Sequence, residues 1–180
     1  MVNRFLLTIL LLSLGSFANR AQAETRALIM ASNYDLIDTN ADLYLANPIA
    51  DADIVAEALQ RSGIDSLTMI KEPVAEKWAE AFESFVASLE PDDIALLYYA
   101  GHGFQVSGTN YFLSSDGVTL IPLDPMIQKL TEKAKGTIII VDACRNNPLE
   151  KISGNGALKI RSVAGDAGAI ETLNITELKK

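Results

Sequence analysis

The sequence predicts an α/β domain built on a mostly parallel central sheet. Three observations predict it. Strand-like and helix-like stretches alternate along the chain. The run Ile94 to Tyr99 (IALLYY) is apolar at every position, as a strand covered on both faces requires. Thr137 to Val141 (TIIIV) is the most strand-like run in the chain, dominated by β-branched residues that suit a pleated surface.

Residues 1–23 read as an export leader and stand outside the fold. Met1 to Arg4 is a short basic start, Phe5 to Phe17 is an uncharged apolar run, and Ala21-Gln22-Ala23 supplies the small residues of a cleavage site. The apolar run is short for a membrane span, although an uncleaved anchor is the alternative reading. With the leader removed, residues 24–180 have the length of one ordinary domain, expected to be periplasmic or secreted. The expected organisation is a catalytic domain over 24–150 and a short C-terminal segment over 151–180. The net charge of −8 becomes more negative without Arg4 and Arg20, which argues against nucleic acid or an anionic membrane as a partner.

The elements follow in order. Arg26 to Met30 (RALIM) is a short buried strand that runs into a loop at Ala31-Ser32-Asn33. Pro48 suits a first helical turn, and Ile49, Ala52, Val55, Ala56 and Leu59 then recur at helical spacing until Gly63 ends the helix. Leu67 to Ile70 is a second strand. After Pro73 a second helix places Val74, Trp78, Ala81, Phe82, Phe85 and Leu89 on one face, and Pro91 stops it. That spacing marks Trp78 and the phenylalanines as core residues. Ile94 to Tyr99 is the third strand, and Phe104 to Val106 with Tyr111 to Leu113 forms a small hairpin around Ser107-Gly108-Thr109-Asn110. A helix over Pro125 to Lys135, capped by Asp124 and ended by Gly136, leads into the TIIIV strand. The glycine-diluted tail from Ile152 is expected to be poorly packed, or to hold one weak strand around 169–173.

His102 is the only histidine and Cys144 the only cysteine. In an open parallel sheet, ligands gather beyond the carboxyl ends of the strands. His102 lies just past the third strand and Cys144 just past the fourth, so both are delivered to one edge, as a nucleophile and its base require. An inert buried thiol and a loop histidine without a role are the bland alternatives. Gly101 and Gly103 leave room for a substrate beside the imidazole, and the backbone amides of Gly103 and Cys144 are candidate donors to an oxyanion. One His and one Cys supply too few soft ligands for a closed zinc shell, and no cofactor is implied.

The segments Tyr98 to Gly103 (YYAGHG) and Val141 to Pro148 (VDACRNNP) resemble the two catalytic motifs of the caspase-like clan. They look most like the bacterial metacaspase-related branch, peptidase family C14. RALIMASNY (26–34) and NPIADAD (47–53) support the likeness, which runs from about Arg26 to Leu149. The resemblance implies a three-layer caspase-like sandwich and a cysteine endopeptidase with a polypeptide substrate. His102 would be the general base and Cys144 the nucleophile that forms a thioester. Metacaspase-like relatives use acids to select Arg or Lys before the cut. Asp142, immediately before Ala143-Cys144, and Asp51, in the helix-start motif, are the candidate substrate-binding acids here. For Asp51 a first-turn acid complementing the helix dipole is the equal alternative. Asp35, Asp38 and Asp42 could suggest calcium, but no EF-hand pattern accompanies them and a solvated loop is expected. The family normally adds strands after the cysteine, whereas here only residues 149–180 follow Pro148. A catalytically silent binding or regulatory module, or an enzyme acting on small amides or esters, are therefore the competing readings. The sequence says nothing of oligomeric state.

Overall fold

Thr25–Ala31 form β1, and every side chain from Ala27 onward is buried, as the apolar run requires. The structure, a computed structural model, describes residues 22–35, 43–106, 108–143, 158–163 and 172–177, the last two ranges as backbone strands. After β1 come α1 (Pro48–Arg61), β2 (Ser66–Lys71), α2 (Ala75–Ser88) and β3 (Ile94–Ala100). Then follow β4 (Gly103–Val106), β5 (Thr109–Leu113), β6 (Thr119–Pro122), α3 (Leu123–Lys133) and β7 (Gly136–Asp142). Two further strands, β8 (Leu158–Val163) and β9 (Thr172–Glu177), lie in the tail.

β1, β2, β3 and β7 make a four-stranded parallel sheet in the order β2-β1-β3-β7. Side chains alternate across it. Ala27, Ile29, Leu96 and Tyr98 point to one face and pack on Ala52 and Ala56 of α1. Leu28, Met30, Leu97 and Tyr99 point to the other and pack on Trp78, Phe82 and Phe85 of α2 and on Met126 and Leu130 of α3. Helices on both faces of a parallel sheet are the three-layer arrangement expected. Trp78 and Phe82 are fully buried, so the aromatic stripe of α2 is core; each such side chain contributes about 1.5–3 kcal/mol by leaving water.

β7 is the outer strand of this sheet, and Ile138, Ile140 and Val141 are each more than two-fifths exposed. The most strand-like run is thus half-open, because composition does not report a strand's place in the sheet.

A second sheet contains the expected hairpin as β4 and β5 and extends it by three strands that the periodicities do not indicate. It is antiparallel, ordered β4-β5-β6-β9-β8. β6 is short and is set up by an Asx-type turn in which the Asp116 carboxylate accepts the Val118 and Thr119 N–H groups, each at 2.8 Å. It runs straight into α3, so the helix begins earlier than expected. Pro122 occupies the cap, and Asp124, expected there, instead lies in the first turn where its charge complements the helix dipole. The tail, expected to hold at most one weak strand, contributes two. β9 pairs with β6, with Leu120 opposite Leu173, and β8 pairs with β9 over its whole length. The open edge of β6 carries unpaired backbone groups that such a strand satisfies. Among the described residues no helix is long and apolar enough to cross a membrane.

Candidate active site

Two strands of the parallel sheet carry the chain to the site. β3 pairs with β7 so that Ala100 stands opposite Asp142, and the ladder continues one step further, with the Gly101 N–H donating to the Asp142 carbonyl at 3.2 Å. His102 follows at the carboxyl end of β3. Cys144, the other half of the expected pair, lies outside the described residues, as do Asp38 and Asp42.

His102 is held at three of its atoms. Its backbone N–H donates to the Tyr34 hydroxyl at 2.9 Å, and its carbonyl accepts from the Tyr99 hydroxyl at 2.8 Å. Its ring Nε2 lies 2.9 Å from the Leu43 carbonyl. A carbonyl can only accept, so Nε2 carries the proton and Nδ1 keeps its lone pair in the neutral ring. Partial burial lowers the His102 pKa below its ordinary value, and the Leu43 carbonyl opposes that shift. Burial therefore favours the neutral imidazole, and the Leu43 carbonyl defines its tautomer. The Tyr34 ring packs against it, with centroids 4.8 Å apart.

Leu43 owes its position to apolar packing. Its side chain is 4% exposed, clustered with Tyr34, Phe104, Leu113 and Leu120. Nearby, the Leu45 N–H donates to the Asn33 carbonyl at 2.9 Å, tying this loop to the end of β1.

The tyrosines form the floor. Tyr34 and Tyr99 are both buried, their hydroxyls are 3.1 Å apart, and the Leu113 carbonyl lies 3.1 Å from each. Burial raises both of their pKa values, so each stays a neutral hydroxyl and can donate. Tyr34 adopts a left-handed backbone, with φ of 66°, which is uncommon for a bulky residue and costs about 1–2 kcal/mol. Glu72 compensates: its carboxylate accepts the Asn33 N–H at 2.6 Å and the Tyr34 N–H at 3.2 Å. Burial raises the Glu72 pKa, and those donors hold it down. None of Tyr34, Leu43, Glu72 and Tyr99 was singled out as a site residue from the sequence. Tyr34 closes RALIMASNY and Tyr99 belongs to YYAGHG, so their place in the motifs was the available signal.

Gly103 begins β4 and stands opposite Phe112. The Leu113 N–H bonds the His102 carbonyl at 3.0 Å, so alternation along an antiparallel ladder turns the Gly103 N–H away from β5. Gly101 is needed for space. A Cβ there would lie 2.6 Å from the Tyr99 hydroxyl oxygen and 3.0 Å from that of Tyr34.

On the α1 side of the sheet, the two predicted substrate-binding acids share a neighbour. Asp142 is exposed at the end of β7 and accepts the Tyr98 hydroxyl at 3.2 Å. Asp51 sits in the first turn of α1, the position its helix-dipole alternative also occupies. The Tyr98 pKa is pushed up to about 12, first by burial, then by the Asp142 charge and hydrogen bond, and last by the Asp51 charge. On the opposite side a shallow pocket is lined by Gly103, Phe104, Tyr111, Phe112, Val141 and Ala143. Among the described residues no three His, Cys, Asp or Glu side chains gather as metal ligands.

A half-buried histidine thus stands in a Gly-His-Gly segment at the carboxyl end of a central parallel strand whose neighbour, β7, leads toward the chain's one cysteine. The family model of the caspase domain, peptidase family C14, matches residues 24–174, and the chain belongs to that family. Its members are cysteine peptidases that act on polypeptides. Among solved structures the chain is similar to protein GSU0716 from Geobacter sulfurreducens, at 22% identity and a TM-score of 0.55, a likeness of fold. The match covers 78% of this chain and 58% of that one, so the chain spans little more than half of its neighbour's length. No curated protein matches the chain.

Proposed function

We propose that the protein is an exported cysteine endopeptidase in which His102 activates Cys144. The register of β3 and β7 carries the reading. Ala100 stands opposite Asp142, and His102 follows Ala100 by the same two residues by which Cys144 follows Asp142. Nδ1 of His102, left free by the Leu43 contact, takes the thiol proton. The thiolate attacks the substrate carbonyl, the amine leaves with that proton, and water then hydrolyses the thioester. The amides of Gly103 and Cys144 are the proposed oxyanion donors, a role favoured by the outward turn of the Gly103 N–H.

Asp142 and Asp51 lie on the α1 side, where two carboxylates near one hydroxyl favour a cationic side chain. The proposed preference is therefore Arg or Lys at P1. Residues 1–23 serve as the export leader, placing the enzyme in the periplasm or outside the cell.

The test is hydrolysis of fluorogenic peptides ending in Arg, Lys or Asp. The Arg and Lys substrates are expected to be cleaved, and Cys144→Ala to lose on the order of 10³-fold or more while unfolding at the wild-type temperature. Undiminished hydrolysis by the Cys144→Ala chain overturns the assignment.

A further inference from the structure

We propose that Asp93 is the receiving site for a new amino terminus at Glu24, created when the leader is removed. The inference rests on the leader reading above and extends it to a defined contact. The small-residue sequence Ala21-Gln22-Ala23 ends immediately before Glu24. Gln22 and Ala23 are exposed, and Glu24 is half-buried at the start of the sheet. Its backbone N–H donates to Asp93 Oδ1 at 2.9 Å, and its carbonyl accepts the Ile94 N–H at 2.8 Å.

Asp93 is an unusual residue to find there. It is 1% exposed, and its second oxygen accepts Arg26 Nε at 3.0 Å and the Glu90 N–H at 2.9 Å. Arg26 is not its partner alone, because the same guanidinium bonds the Glu24 carboxylate at 2.7 Å. One cation therefore faces two carboxylates, and the group carries one negative charge in excess. Hydrolysis of the Ala23–Glu24 peptide bond breaks its C–N bond, leaves a carboxyl on Ala23 and an amine on Glu24, and the amine takes up a proton at neutral pH. The atom already 2.9 Å from Asp93 then becomes an ammonium, and the three charges are joined by the fourth that balances them. A hydrogen bond charged at both donor and acceptor replaces one charged only at its acceptor, the buried Asp93 carboxylate.

Asp93 also ties together the elements that depend on this corner. Its own carbonyl accepts the Lys135 N–H at 2.9 Å, just before β7, so leader removal strengthens a contact between β1, β3 and the strand leading to Cys144.

Two measurements separate the leader from the site. The intact mass of the chain exported by a bacterial host should correspond to a start at Glu24; retention of residues 1–23, or a start elsewhere, overturns the leader reading and with it the maturation role. Independently, thermal unfolding compares purified chains that start at Glu24 with a free amine, at Glu24 with an acetylated amine, and at Ala23. The free-amine Glu24 chain should melt about 3–6 °C above the other two. Acetylation keeps the N–H donor and removes only the charge, so equal melting of the acetylated and free chains overturns the ion pair wherever the leader is cut. Asp93→Asn should abolish the difference. If that variant does not fold, the acetylated chain alone decides.

Discussion

Gly101→Ala tests the packing that fixes His102. The added Cβ would stand 2.6 Å from the Tyr99 hydroxyl oxygen, 2.9 Å from its Cζ and 3.0 Å from the Tyr34 hydroxyl oxygen. Neither ring can swing clear, since Tyr99 is stacked on Phe112 with centroids 4.0 Å apart and Tyr34 is 2% exposed. Relief requires the hydroxyls to move, and they are the groups that bond the His102 amide and carbonyl. Overpacking of this kind costs about 1–3 kcal/mol, and a lost hydrogen bond adds about 1 kcal/mol. The sum, roughly 2–4 kcal/mol, corresponds to a fall in Tm of about 5–12 °C for a domain of this size. If His102 is displaced by about 1 Å, peptide hydrolysis should fall about a hundredfold. Urea denaturation measures the first effect as a lower midpoint at unchanged slope. The double variant Gly101→Ala/Tyr99→Phe removes the atom struck first, and should recover about 1 kcal/mol relative to the sum of the single changes. A Gly101→Ala chain with the wild-type midpoint and full activity would refute the reasoning.

Three further outcomes are expected. Asp142→Asn keeps an acceptor for the Tyr98 hydroxyl but removes the charge, so kcat/KM for Arg and Lys substrates should fall about 10–100-fold, with stability nearly unchanged at this exposed position; an equal fall on a substrate with an uncharged P1 side chain argues against a charge-reading role. His102 titrates below 6.5 because burial disfavours its charged form, and between its folded and unfolded values the unfolded chain binds more protons. Stability should thus decline as pH falls from about 6.5, and the acid limb of kcat/KM for the free enzyme should have its midpoint below 6.5; a midpoint above that value contradicts the assigned environment. Glu72→Ala strips the acceptor from the Asn33 and Tyr34 N–H groups and should cost about 2–4 kcal/mol in denaturant unfolding, with Glu72→Gln recovering part of it.

Much of the fold was legible because its signals are local. Trp78, Phe82 and Phe85 recur at helical spacing and are buried on α2, and Ile94 to Tyr99 is apolar throughout and lies inside the sheet. Gly63, expected to end a helix, does so with φ of 83° just past α1. Strand β6 went unseen because its four residues TLIP hold a proline and follow a turn, too short a stretch for any period to emerge. In the tail, LKIRSV and TLNITE alternate over only a few residues, and the surrounding glycines hide pieces that find their partners by tertiary pairing, β9 against the edge of β6 and β8 against β9.

The sequence by itself determined the alternation of strands and helices, the placement of the single histidine and single cysteine after strands, and the two motifs that carry the family. Only the tertiary structure decided that β3 lies between β1 and β7, that a second antiparallel sheet receives the tail, and that the Leu43 carbonyl selects the His102 tautomer. The physical reason is range. A period of two or 3.6 is written in neighbouring residues, whereas the contacts that hold His102 come from Tyr34 and Leu43, brought to it from distant parts of the chain by the burial of their own apolar bodies.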